Sequence, residues 1–159
     1  VTRLTILICA LAPVLAAAGL AAQASGEQGQ SLARAARIVN LVERASLKLV
    51  SEKGVEITEH GQATGTYNGS VTASFSIRPS SITAVVTIYP RGGSITGTVH
   101  ANYVIVKSLG YFGGTFTLGR GTGRFSHASE INHKALGVSG IINRYSYATE
   151  VKAHGEVRL

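Results

Sequence analysis

The sequence predicts an all-β fold: an antiparallel barrel of eight to nine strands over residues 46–159, preceded by a signal peptide over 1–24 and a lead-in with a short amphipathic helix over 25–45. Three observations predict it. Apolar and polar residues alternate with period two almost to the end of the chain, the mark of strands with one dry face and one wet face. Turn signals rich in Gly, Pro and Asn recur every ten to fifteen residues, as in an antiparallel meander. Eight or nine strands joined this way would leave costly free edges unless the sheet closes, so a barrel is expected in preference to a sandwich.

Composition narrows the alternatives. A chain of 159 residues, 45% apolar, fits one compact domain plus at most a terminal appendage. Its single Cys cannot build a disulfide scaffold or a cysteine zinc cluster. All eight acidic residues are Glu, which removes Asp-rich calcium loops and any Ser-His-Asp triad. The 19 glycines show neither the three-residue period of collagen nor a longer fixed repeat.

The elements follow in order. Arg3, an apolar run from Leu4 to Ala22 and the small-x-small end Ala22-Gln23-Ala24 are the three parts of a secretory signal, with cleavage expected after Ala24. The competing reading is an uncleaved membrane anchor, which the Ala-rich run and Pro13 disfavour, so no transmembrane span is expected after processing. Cleavage would take one of the 15 Lys and Arg, leaving 14 against 8 Glu. A secreted or cell-envelope protein of bacterial type is expected, its basic surface suited to an anionic envelope polymer or simply to solubility. Beyond a polar lead-in, Ala35, Ile38, Val42, Ala45 and Leu49 recur at helical spacing, with Arg34, Arg37, Arg44 and Lys48 on another face, which predicts the short helix.

Strands are predicted near 46–51, 54–67, 70–78, 81–89, 94–106, 110–118, 124–129, 135–144 and 147–158. Asn68-Gly69 is the strongest hairpin signal, because both residues tolerate the positive φ of a two-residue turn. The last strand is the clearest: Tyr147, Thr149, Val151, Ala153, Gly155 and Val157 alternate with charged and polar residues. Small residues recur on inward registers, among them Gly61, Ala63, Gly97, Ala101 and Ala153, as a narrow or strongly coiled barrel requires.

The segment from Gly113 to Ser129 is the most distinctive. It lacks the Gly-Lys-Ser/Thr and the following helix of a phosphate loop, although the backbone around Gly119 to Gly123, with Arg120 and Arg124 beside it, has the makings of an anion nest. A tight strand-to-strand corner with glycines at positive φ is the simpler reading. Gly114-Thr115-Phe116, then Gly119-Arg120-Gly121-Thr122-Gly123-Arg124-Phe125 followed by Ala128-Ser129, resembles the corner motif of the barrels shared by allene oxide cyclases and dirigent proteins. The resemblance implies an eight-stranded antiparallel barrel that holds a small hydrophobic molecule and steers its cyclisation or coupling.

Read from the residues alone, Glu59 stands out, because the register that carries Val55, Ile57, Gly61 and Ala63 inward carries it too. A carboxyl facing a core is costly unless paired or protonated, and such groups have the raised pKa of general acids. Glu59 is the candidate catalytic residue. Tyr67, Tyr103 and Tyr147 lie on inward registers and are the candidate ligand-binding residues. The competing reading places Glu59 at a bulge or rim in reach of water. His127, Glu130 and His133 sit close together but do not make a metal site, and no cofactor is implied. Nucleic acid is disfavoured, since the tyrosines fall mostly on inward registers, away from the aromatic platforms that such binding needs beside the charge.

The sequence therefore predicts an exported barrel that binds a small hydrophobic molecule, whether or not it acts as an isomerase or cyclase. The alternative is a non-catalytic envelope or secreted structural protein with a filled interior.

Overall fold

The computed structural model describes residues 36–159. The signal peptide and most of the lead-in fall outside the described residues. Nine strands form one antiparallel sheet: β1 (Ile38–Lys53), β2 (Glu56–Gly65), β3 (Gly69–Ile77), β4 (Ser81–Pro90), β5 (Gly93–Val106), β6 (Leu109–Gly123), β7 (Ser129–Glu130), β8 (Leu136–Asn143) and β9 (Thr149–Arg158). Consecutive strands pair as hairpins from β1 to β6; β6 then pairs with β8 and β8 with β9. Pairing of β9 with β1, from Ile38↔Arg158 to Leu47↔Thr149, closes a ring of eight strands. The two-residue β7 extends the β8 side of β9, pairing with Val157 and Arg158. Among the described residues no helix is long and apolar enough to cross a membrane.

The expected helix is corrected over its described part, because Ile38 to Ala45 form the first half of β1. Of the apolar residues that mimicked a helical stripe, Ile38 and Val42 point outward and are exposed, while Leu49 falls on the inward register, opposite Glu59. Leu41, Glu43 and Leu47, two or four residues apart, point inward and are buried. Ladders on both sides, to β2 and β9, satisfy the backbone of this segment and outweigh its helical spacing. The strand expected at 124–129 is also corrected. β6 runs on to Gly123, and the chain then turns through Arg124 to Ala128 by short-range bonds such as Phe125 N–H to Thr122 O (3.0 Å) and Ala128 N–H to Phe125 O (2.9 Å). Of the corner glycines only Gly123 has a positive φ, 58°, while Gly119 and Gly121 belong to β6. The hairpin at Asn68-Gly69 is wider than a two-residue turn: β2 ends at Gly65, and the Asn68 side chain closes the loop by accepting the Gly65 N–H (3.0 Å).

Inside the ring, Phe75, Phe112, Phe116 and Tyr103 pack with Leu41, Leu47, Ile82, Leu136 and Ile142 into one core. Three inward glycines are covered by large side chains of the neighbouring strand. The Phe116 ring lies over Gly97, the Tyr103 ring over Gly110 and the Phe112 ring over Gly140, each where a Cβ would stand. Outside, the strands carry hydroxyl pairs such as Thr87 and Thr96, whose Oγ1 atoms are 3.0 Å apart.

Gly140→Ala forces its new methyl group into the Phe112 ring and the Glu150 carbonyl and is expected to cost about 1–3 kcal/mol. Gly113→Ala, on the strand beside it, meets nothing nearer than the Val138 carbonyl at 4.0 Å and is expected to be neutral or slightly stabilising. Urea unfolding of both variants checks the contrast; equal stability would mean that the ring does not need its bare backbone at Gly140.

Candidate functional site

The antiparallel order gives the ring two unlike ends. At one end lie the β2–β3 and β4–β5 connections and the corner after β6. Phe125, fully buried, plugs this end; its ring meets Tyr67 edge-on at 5.1 Å between centroids, and the Arg124 guanidinium lies 4.7 Å from the Phe125 ring and 5.5 Å from the Tyr67 ring. Arg124 is thus engaged by aromatic faces, while Arg120 is exposed on the outer part of β6. Where β8 stops short of the end of β6, the Glu130 carboxylate accepts the Leu118 N–H (2.8 Å) and takes the place of a strand partner.

At the other end the β1–β2, β3–β4, β5–β6 and β8–β9 connections surround an open mouth of about 340 Å³. Ile57, Ile77, Tyr103, Ile105 and Ile142 make it largely apolar, and Tyr147, Arg78 and Arg144 are the polar residues of its lining. Tyr147 has a φ of 53°, unusual for a bulky residue. The preceding turn holds it there: Asn143 O accepts the Tyr147 N–H (2.7 Å), and Asn143 Oδ1 accepts the N–H groups of Tyr145 (2.9 Å) and Ser146 (3.2 Å). The Tyr147 hydroxyl donates to Glu52 (2.9 Å), a bond that raises its pKa. Tyr103 and Tyr147 therefore share the mouth, whereas Tyr67 belongs to the plugged end.

Glu59 is 1% exposed and faces the core from β2. A bulge does lie beside it, on the partner strand: β1 carries an extra residue between Leu49, opposite Glu59, and Ser51, opposite Thr58. The bulge does not bring the carboxyl to water. Its Oε1 accepts the hydroxyl of buried Thr149 (2.9 Å), a hydroxyl also 3.3 Å from the Tyr147 carbonyl, and its Oε2 has no partner. Burial pushes its pKa from the ordinary 4.5 up to about 7, and the Thr149 bond offsets part of the rise. A carboxyl that titrates near neutrality has the proton affinity of a general acid or base. It lines neither the mouth nor the interior cavity.

A second buried carboxyl, Glu43, was hidden by the helical reading of its segment. It is 3% exposed and lines the ring's interior cavity, an apolar space of about 50 Å³. Its Oε1 accepts the Tyr67 N–H (2.7 Å), its Oε2 has no partner, and burial raises its pKa. The signal that reveals it is the strand register Val39, Leu41, Glu43, Ala45, Leu47. Six positions along the ladder separate Glu43, opposite Gly65, from the level of Glu59, roughly 20 Å, so the two carboxyls do not form a dyad. Among the described residues no three His, Cys, Asp or Glu converge on a point where a metal would sit. No protein-family model, curated protein or solved structure matches the chain, which leaves its own residues as the basis for a function.

The unfolded chain gives up the Glu59 proton near pH 4.5 and the folded one only near 7. Stability is therefore complete below 4.5 and declines as pH rises through 7, by up to about 3 kcal/mol for this group, with Glu43 acting in the same direction. Urea midpoints measured between these limits are expected to fall in the wild type and to fall less in Glu59→Gln; a wild-type midpoint that rises over this range contradicts the buried carboxyl.

Proposed function

We propose that the protein is an exported β-barrel that binds a small apolar molecule at its open mouth. One observation carries this reading: a concave space of about 340 Å³ with an apolar floor and a few polar groups at its border, within the size range of small-molecule sites. The resemblance to allene oxide cyclase and dirigent barrels points to the same class of ligand. The interior, at about 50 Å³, is too small for such a molecule, which moves the binding site from the centre of the barrel to its end. Binding without chemistry is favoured over an isomerase or cyclase, because Glu59 does not line the mouth and the Glu52 carboxylate beside it is taken up by the Tyr147 hydroxyl.

The nearly filled interior favours one second reading, a non-catalytic envelope or secreted protein whose basic exterior adheres to an anionic polymer. Titration with a neutral environment-sensitive dye such as Nile red, together with a thermal-shift screen of apolar metabolites, separates the two. Ile105→Asp, at an exposed position of the mouth, is expected to weaken dye binding about ten-fold or more, as a charge placed in an apolar site does, while Glu59→Gln changes it little. Binding by neither dye nor metabolite would favour the second reading.

A further inference from the structure

We propose that the mouth end of the ring docks onto an anionic lipid surface. The four connections at this end each bring one exposed cation, Lys53, Arg78, Lys107 and Arg144, against two exposed carboxylates, Glu52 and Glu56, beside the β1–β2 turn. Exposed apolar side chains stand among them. Val55 lies in the β1–β2 turn, Val106 ends β5 beside Lys107, and Tyr145, 84% exposed, lies in the β8–β9 turn next to Arg144. Ile105, also exposed, runs from this rim into the mouth. Isolated exposed apolar residues are ordinary; a set of them at the tips of one end, interleaved with cations, is the arrangement of interfacial binding. The apolar tips enter the boundary between headgroups and acyl chains, and the cations pair with anionic headgroups at its surface.

The plugged end is also basic, with Arg91, Arg124 and Lys134, but only Ile38 and Tyr89 are large apolar residues exposed at its strand ends and turns, against Val55, Ile105, Val106 and Tyr145 at the mouth, and its Phe125 is buried inward with Arg124 stacked on it. Charge alone would not choose between the ends; the apolar tips do. The inference builds on the mouth as a ligand site, since docking this way would bring an apolar molecule from the lipid to the floor of the mouth without crossing water. The two can fail separately: docking stands without a soluble ligand, and ligand binding in solution stands without docking.

The test uses residues 34–159, because Arg34–Leu159 is a compact unit holding every strand pairing and the whole described core. The chain has no Trp, so a single introduced one reports its own surroundings. With phosphatidylcholine vesicles that contain phosphatidylglycerol, Tyr145→Trp is expected to shift its emission to the blue and to be quenched by brominated acyl chains. Tyr89→Trp, an exposed position towards the plugged end, is expected to do neither. Vesicles of phosphatidylcholine alone bind weakly, and added salt releases the protein from the anionic ones. Lys53→Gln with Lys107→Asn, the Asn chosen because Lys107 has a φ of 56°, is expected to weaken partitioning about five-fold for each cation removed. Arg91→Gln with Lys134→Gln leaves it within two-fold, roughly the scatter expected for charges far from the surface. No shift at position 145, equal shifts at both Trp positions, or equal losses from neutralising either end would overturn the proposal.

Discussion

Closure of the ring by the β1–β9 ladder is the constraint on which the other features depend. Ten consecutive residue pairs join the two strands, from Ile38↔Arg158 to Leu47↔Thr149, and leave neither with a free edge. The same ladder fixes which residues of β1 face inward. It encloses Glu43, and it brings Thr149 into the core opposite Leu47, where its hydroxyl meets Glu59. Both carboxyls keep one oxygen without a partner, a burden of about 1–3 kcal/mol each that only a well-packed ring sustains.

Packing within the ring decides where open space remains. Glycines in a strand wall suggest space, but here the space is taken by side chains from the next strand. Phe116 covers Gly97, Phe112 covers Gly140 and Tyr103 covers Gly110, so bare backbone on one strand accommodates a ring on the next. The interior keeps only a small apolar void of about 50 Å³ around Glu43, while a space of about 340 Å³ opens at the end where the connections are short. The asymmetry of the ends has a local cause as well. The Gly-Arg-Phe corner folds Phe125 under one end, and no connection at the other supplies a comparable plug.

Much of the fold was legible because a strand with one buried face writes its register directly into the sequence. Seven of the nine predicted strands overlap observed ones closely, and the inward position of Glu59 follows from the alternation around it. The first half of β1 was not legible, since its exposed Ile38 and Val42 supplied a helical period that the true inward set, Leu41, Glu43 and Leu47, does not share. Glu43 was lost with it. The corner at Arg124 to Ala128 resembled a strand in its residues, but short-range backbone bonds turn it. Which tyrosines meet was beyond the sequence too: Tyr103 and Tyr147 come together, and Tyr67 stands at the opposite end, because that depends on the order and direction of strands around the ring. The filling of the interior depends on the same neighbour relations, which no single strand records.

The ladder of β1 and β9 continues past the strands themselves. Arg37 and Leu159 exchange two backbone hydrogen bonds, Arg37 N–H to Leu159 O at 3.1 Å and Leu159 N–H to Arg37 O at 2.9 Å. A short flexible linker can therefore join these residues, and the chain can be cut instead in an exposed turn such as Gly54-Val55. The resulting circular permutant keeps every rung of the ring while changing which strands are neighbours in sequence. Its folding rate would then reveal how much of the barrier lies in bringing the first strand to the last.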